Sequence, residues 1–189
     1  MRFQRSRWLA LALAGGAAAA EPELPERSTR EGRHVLSAAY LGYNFNWPGA
    51  EVGYSYRAIE SPLRRHALVV GADVGVWVWP RHDIGVFVTP KLGWRGRHRV
   101  GLEGSLDMRV GYLHSMTASE SFSVQDGVVV SDGRVGYPML IASPQVGVGW
   151  FFDTVGVAPF VRAGVIVQHP NFDATLLRFH VTAGVEVRL

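Results

Sequence analysis

The sequence predicts an all-β fold of eight antiparallel strands in up-and-down order, closed into a barrel. Three observations predict it. Apolar and polar residues alternate with a period of two from Val35 almost to the last residue, and successive strand side chains point to opposite faces. Turn-forming residues break this alternation at intervals, leaving an even number of segments joined mostly by hairpin-length connections. No stretch with helical period remains to cover a sheet, and closure is the economical way to remove exposed edges.

The stretch Arg99 to Tyr112 shows the pattern best. Val100, Leu102, Gly104, Leu106, Met108, Val110 and Tyr112 share one face; Arg99, Gly101, Glu103, Ser105, Asp107, Arg109 and Gly111 share the other. A helix would scatter Glu103, Asp107 and Arg109 among the apolar residues.

Ahead of the alternation lie two segments of different character. Residues 1–20 are expected to be a signal peptide: Arg2, Arg5 and Arg7 precede the short apolar run Trp8 to Ala20, with Ala18 and Ala20 placed for cleavage after Ala20. Residues 21–33 are charged, proline-bearing and without periodicity, and are expected to form a flexible periplasmic linker. The barrel is then assigned to residues 34–189, long enough for one domain. The chain carries 19 Lys+Arg and 16 Asp+Glu, and the leader accounts for three arginines and no acids, so the exported part is balanced at 16 against 16. That balance argues against nucleic acid as a partner. Cysteine is absent, so an exported chain closes its fold without disulfides.

Eight strands follow in order. In the first, Val35, Ala39, Leu41, Tyr43, Phe45 and Trp47 are expected to share the apolar face, opposite Tyr40, Gly42, Asn44 and Asn46, with a tight turn at Pro48-Gly49. The second sets Val52, Tyr54, Tyr56 and Ala58 against Glu51, Gly53, Ser55 and Arg57, and turns around Ser61-Pro62. The third sets Leu68, Val70, Ala72, Val74, Val76 and Val78 against Val69, Gly71, Asp73, Gly75 and Trp77, up to a turn at Pro80 to His82. The fourth sets Ile84, Val86, Val88, Leu92 and Trp94 against Gly85, Phe87, Thr89, Lys91, Gly93 and Arg95, with a bulge expected at Pro90. After the fifth, Arg99 to Tyr112, the pattern lapses from Ser115 to Pro138. A large loop is expected there, with its own small hairpin around the Asp-Gly pairs at 126–127 and 132–133. The sixth sets Leu140, Ala142, Val146, Val148, Trp150 and Phe152 against Ser143, Gln145, Gly147 and Gly149. The seventh sets Val157, Val161, Ala163, Val165 and Val167 against Phe160, Arg162, Gly164, Ile166 and Gln168, and leads into a second long loop, His169 to Ala174. The eighth sets Leu177, Phe179, Val181, Ala183, Val185, Val187 and Leu189 against Arg178, His180, Thr182, Gly184, Glu186 and Arg188.

Alternation alone fits either a soluble barrel with an apolar ligand cavity or a barrel with its apolar face in lipid. Four features favour lipid. Lys91 is the only lysine, and the polar faces are rich in Gly, Ser and Thr, which suit a narrow interior. The polar-face charges balance: Glu51, Asp73, Glu103, Asp107 and Glu186 against Arg57, Lys91, Arg95, Arg109, Arg162, Arg178 and Arg188. Aromatic residues collect at strand ends, Tyr43, Phe45 and Trp47 at one and Trp94, Trp150 and Phe152 at the other, as interfacial girdles do. With the amino terminus periplasmic, the two longest connections fall on the outward side. The predicted fold is therefore an eight-stranded antiparallel up-and-down transmembrane β-barrel.

The last residues, TAGVEVRL from Thr182 to Leu189, resemble the carboxy-terminal signal of outer-membrane barrels, with Gly184 followed by Val187 and Leu189. With the leader and strand count, residues 35–189 resemble the small eight-stranded bacterial outer-membrane β-barrel proteins. The resemblance implies a bacterial outer-membrane location, contact with outer-membrane lipid and lipopolysaccharide, delivery by the barrel assembly machinery through the carboxy-terminal strand, and a monomeric state. It also implies a structural or surface-interaction role with a charged, plugged interior and no open pore, because eight strands enclose little more than their own side chains.

Three other readings remain open. Members of this architecture that act on lipid A use a His and a Ser close together on a strand with an acid nearby. Here His180-Val181-Thr182 with Glu186 has a similar spacing, though with Thr for Ser, and His114-Ser115 is the other pair. Adjacent residues face opposite ways, which argues against a nucleophile–base contact in the second pair. A carrier of small hydrophobic molecules is suggested by Pro90, Pro144 and Pro159 within strands, where missing donors weaken the wall. A soluble secreted ligand-binding barrel is the last. His66, His82, His98 and His169 are dispersed over separate turns, and no glycine loop cradles a phosphate, since Gly71 and Gly75 lie within a strand. No catalytic, cofactor-binding or metal-ligating residue is assigned, and no cofactor. Phe122, Val128, Val129, Val130 and Tyr137 make the long loop apolar enough to meet a partner outside the cell.

Overall fold

The computed structural model describes residues 32–43, 47–63, 65–80, 82–117, 122–131, 136–171 and 174–189. The expected signal peptide, most of the linker, Phe45 and its asparagine neighbours, and Asp132-Gly133 lie outside the described residues.

The strands are β1 (His34–Tyr43), β2 (Trp47–Glu60), β3 (His66–Trp79), β4 (Asp83–Arg97), β5 (Leu102–Thr117), β6 (Phe122–Gln125), β7 (Val128–Ser131), β8 (Tyr137–Trp150), β9 (Val157–Asn171) and β10 (Ala174–Arg188). Eight of them close a barrel in the order β1-β10-β9-β8-β5-β4-β3-β2, while β6 and β7 pair only with each other. All barrel neighbours are antiparallel, and the seam runs from Val35 opposite Arg188 to Tyr43 opposite His180. The β6–β7 hairpin is the one expected in the long loop. Its turn is Asp126-Gly127, both at positive φ (51 and 80), the backbone twist that two-residue hairpins favour.

Polarity is decided by β5. Leu106 and Val110 are 54% and 53% exposed, whereas Asp107 and Arg109 are 3% and 2% exposed. The same division continues around the barrel: Val52, Val74, Val88, Val146, Val161 and Val185 face out, and Glu51, Asp73, Lys91, Gln145, Arg162 and Glu186 face in. Space for the inward side chains comes from glycines opposite them on the ladder. Asp73 pairs with Gly53, Asp107 with Gly93 and Arg162 with Gly147, and a methyl group on any of these glycines would collide with the facing side chain. A narrow lumen holds long charged groups only where their neighbours are small.

Several expectations need correction. The first strand has its faces reversed: Val35, Leu41 and Tyr43 are buried inside, and Leu36 and Tyr40 are exposed outside. Both faces of this strand are apolar, so pattern alone does not choose between them. Pairing does, because directly opposed residues share a face, and Leu41 lies opposite Thr182 while Tyr40 lies opposite Ala183. Tyr43 and Trp47 therefore pack within the barrel mouth against the interior cluster instead of forming an outer girdle; Trp94, Trp150 and Phe152 do face out, at 42–47% exposure. Pro48 and Gly49 belong to β2, opposite Gly42 and Leu41, and form no turn. The connection expected at His169 to Ala174 is largely taken up by strand, since β9 runs to Asn171 and β10 begins at Ala174. The loop asymmetry thus rests on the β5–β8 connection alone. Pro90 makes no bulge: the β4–β5 ladder keeps its register from Val88–Tyr112 to Lys91–Arg109, and Pro90 faces outward. Pro144 likewise leaves the β8–β9 register unbroken between Ala142–Val167 and Gln145–Gly164. The ladder shifts instead at Arg57/Ile59 and at Ala174/Leu176.

Candidate functional site: the barrel lumen and its mouth

The lumen has three levels. At the end that holds both described termini, Arg57 and Arg188 converge on Glu103, with Arg57 Nη2 at 3.6 Å from Glu103 Oε2 and Arg188 hydrogen-bonded to it. Phe151 lies between two guanidinium groups, Arg188 at 3.6 Å and Arg97 at 4.8 Å from its ring centre, and Arg97 also reaches Asp153 at 3.1 Å.

The middle level holds two charge networks. Lys91 Nζ donates to Asp73 Oδ1 at 2.6 Å. Arg109 Nη1 donates to Glu51 Oε2 at 2.9 Å and to Asp73 Oδ2 at 3.4 Å. Arg95 Nη1 donates to Asp107 Oδ1 at 2.6 Å, and Arg162 Nε stands 3.7 Å from Asp107 Oδ2. Glu186 takes a hydrogen bond from Arg162 and faces Arg95 Nη2 at 3.7 Å. Lys91 and Arg95 come from β4, Arg109 from β5 and Arg162 from β9; the Arg109–Glu51 and Arg162–Asp107 contacts join strands that are not neighbours in the sheet and meet because the ring closes. The desolvation that buried charges suffer is offset here by mutual pairing and hydrogen bonds.

His180 belongs to this level, 1% exposed. The Gln145 amide, with its oxygen turned toward His180 and Arg109, accepts from His180 Nε2 at 2.5 Å and from Arg109 Nε at 2.9 Å. Thr182 also faces the lumen, but its hydroxyl makes no hydrogen bond among the described residues, and Glu186 is committed to arginines. The His180, Thr182 and Glu186 set is therefore gathered on one side of β10 without forming a base–nucleophile contact. His114 and Ser115 point to opposite sides, as their adjacency requires. His114 Nδ1 meets Tyr112 Oη at 2.9 Å, and Ser115 Oγ donates to Asp83 Oδ2 inside at 2.8 Å.

The third level, at the end that carries the β5–β8 loop, is aromatic. Tyr43 stacks on Trp77 with ring centres 4.3 Å apart, Trp47 stacks on Trp79 at 4.0 Å, and Phe87 tilts against Trp77 at 5.6 Å. Leu113, Met139, Ile141 and Ile166 complete a buried apolar cluster. Trp77 and Phe87 fit because their ladder partners are Gly85 and Gly75. A cavity of about 220 Å³ opens beside this cluster, lined among others by Trp77, Trp79, Asp83, Leu113, Met139 and Arg178. The Arg178 guanidinium lies 5.2, 5.1 and 5.5 Å from the ring centres of Tyr43, Trp47 and Trp79. Sequence reading placed Arg178 among the balanced lumenal charges; its separation from them and its aromatic surroundings depend on which strands meet across the closed ring.

No family model matches this chain, and no curated protein matches it. Among solved structures, the fold is similar to Neisserial surface protein A, with 12% identity over 82% of this chain and 96% of that chain and a TM-score of 0.51. It is also similar to the outer membrane enzyme PagL (15% identity, 82% and 99% coverage, TM-score 0.48). The third is the N-terminal β-barrel domain of Pseudomonas aeruginosa OprF (14% identity, 83% and 99% coverage, TM-score 0.46). The protein has the fold of the small eight-stranded outer-membrane β-barrels, as the sequence pattern predicts.

Proposed function

We propose that this chain is a monomeric bacterial outer-membrane β-barrel with a structural or surface-interaction role and a lumen plugged by ion pairs, without an open pore. One observation carries the reading: a belt of exposed Val and Leu on every barrel strand surrounds an interior of buried, paired charges. In water that belt would be a very large apolar patch; in a bilayer it is the surface that faces lipid. Ion pairs that reach across the lumen, such as Arg109–Glu51 and Arg162–Asp107, fill the middle level with side chains, which supports closure.

In this reading the signal peptide exports the chain, the Thr182–Leu189 strand is presented to the barrel assembly machinery, and the termini remain periplasmic. The β6–β7 hairpin then faces outward next to lipopolysaccharide, with Val128 and Val129 62% and 66% exposed for contact with a surface partner.

Expression of the full chain in a Gram-negative host tests this. The protein is expected in the outer-membrane fraction, to migrate compactly in cold detergent and more slowly after boiling, and to leave planar bilayers without steady conductance. The lipid A mass profile of the host is expected to stay unchanged. Recovery from the soluble periplasm without a mobility shift would instead establish a secreted soluble barrel.

A further inference from the structure

We propose that the cavity at the loop end binds a small organic acid carrying one carboxylate, a flat apolar body and a hydrogen-bond donor. The proposal stands on the cavity and is independent of the membrane setting.

Arg178 is the first reason. The arginines deeper in the lumen face carboxylates: Arg57 and Arg188 face Glu103, Arg109 faces Glu51 and Asp73, and Arg95 and Arg162 face Asp107 and Glu186. Arg178 has three aromatic rings around it instead; it hydrogen-bonds the Tyr43 hydroxyl, and its Nη1 has no hydrogen-bond partner among the described residues. Ring faces hold a guanidinium in place by cation–π attraction without using its in-plane N–H groups, so the Nη1 donors remain to bind an anion.

The second reason is convergence. Trp77 Nε1, Asp83 Oδ1 and Arg178 Nη1 are all buried without a partner among the described residues, and all three residues line this cavity. Buried polar atoms are nearly always satisfied, so three around one space mark a place where a polar partner belongs. Their chemistry specifies it. Two donors, one of them cationic, call for a carboxylate. The remaining carboxylate oxygen of Asp83, whose other oxygen is held by Ser115 at 2.8 Å, calls for a hydroxyl or amine. Leu113, Met139 and the Trp79 ring supply an apolar wall between them.

Size is the third. An apolar cavity of about 150 Å³ accommodates benzene, so about 220 Å³ accepts one ring with two small substituents. Aromatic acids of that size are taken, whereas a lipid chain or a nucleotide is too large.

Calorimetry on the chain folded in detergent micelles tests the assignment, with 4-hydroxybenzoate as probe and empty micelles as the blank. Saturable binding with one site per barrel is expected. Phenol, which lacks the carboxylate, is expected not to bind. Arg178→Gln is expected to weaken binding at least tenfold, and Trp77→Phe, which removes only the Nε1–H donor and keeps a ring in place, several-fold. Each variant is first checked for the cold-versus-boiled mobility shift. If Arg178→Gln fails to fold, Trp77→Phe and the phenol comparison still decide. Heat no greater than that of empty micelles, equal binding by folded Arg178→Gln, or phenol binding as tightly as the acid overturns the proposal.

Discussion

Removing Asp107 tests whether the interior is a dry plug or a wet channel. Its side chain is 2% exposed, with Arg95 Nη1 2.6 Å from one oxygen and Arg162 Nε 3.7 Å from the other. At an effective dielectric of about 20, one such contact near 4 Å is worth about 4 kcal/mol of Coulomb energy, and desolvation of the carboxylate offsets part of the sum. Asp107→Ala leaves two buried arginines sharing Glu186, so the net loss is expected at about 3–5 kcal/mol, the usual result of orphaning a buried charge. Urea unfolding in lipid vesicles, followed by tryptophan fluorescence, measures it. The double variant Asp107→Leu with Arg95→Met removes a neutral pair and is expected to lose clearly less than the single change. A loss below about 1 kcal/mol for Asp107→Ala, the worth of an exposed ion pair, would mean that water fills the lumen and that the plugged interior is wrong.

Three further outcomes follow from the same geometry. Val110→Arg places a charge on the outer face midway along β5, where Val110 is 53% exposed; it is expected to cost about 2–4 kcal/mol in vesicles, and no loss of urea midpoint would deny that this face meets lipid. Gly85→Val puts a side chain into the Trp77 ring, which Tyr43 and Phe87 hold on other sides; overpacking of about 1–3 kcal/mol is expected, read as a lower urea midpoint. Replacing residues 122–131 by a short glycine-serine turn removes a hairpin that pairs only with itself; the mobility shift and a barrel stability within about 0.5 kcal/mol of the original are expected.

Strand count, order and polarity were legible because a period of two survives on seven of the strands, with charges confined to one parity. The first strand was not, since Val35, Leu41 and Tyr43 compete with Leu36, Ala38 and Tyr40 for the same role. Only the rungs to β10 and β2 separate them. The lumenal charges were legible as a set, and their partners were not: Arg109 meets Glu51 across 58 positions of sequence, a relation created by closure. The loop-end cavity was invisible for the same reason. Trp77 and Arg178 were each placed on the inner face, but nothing local tells that β3 and β10 bring them to one wall of a common space, or that Asp83 joins them there. A composition signal did exist in the excess of tryptophan within Trp77-Val78-Trp79, where one indole was read as inward and the next residue as outward.

Lys91 carries the only side-chain primary amine in the sequence, and it is held 2.6 Å from Asp73 with 1% of its side chain exposed. An acylating reagent added to intact cells or vesicles should therefore leave this side chain untouched, while the same reagent after denaturation should modify it fully. The molecule thus contains a built-in chemical clock: the mass gained per minute at one position reports how often the whole barrel opens, with no label introduced by design.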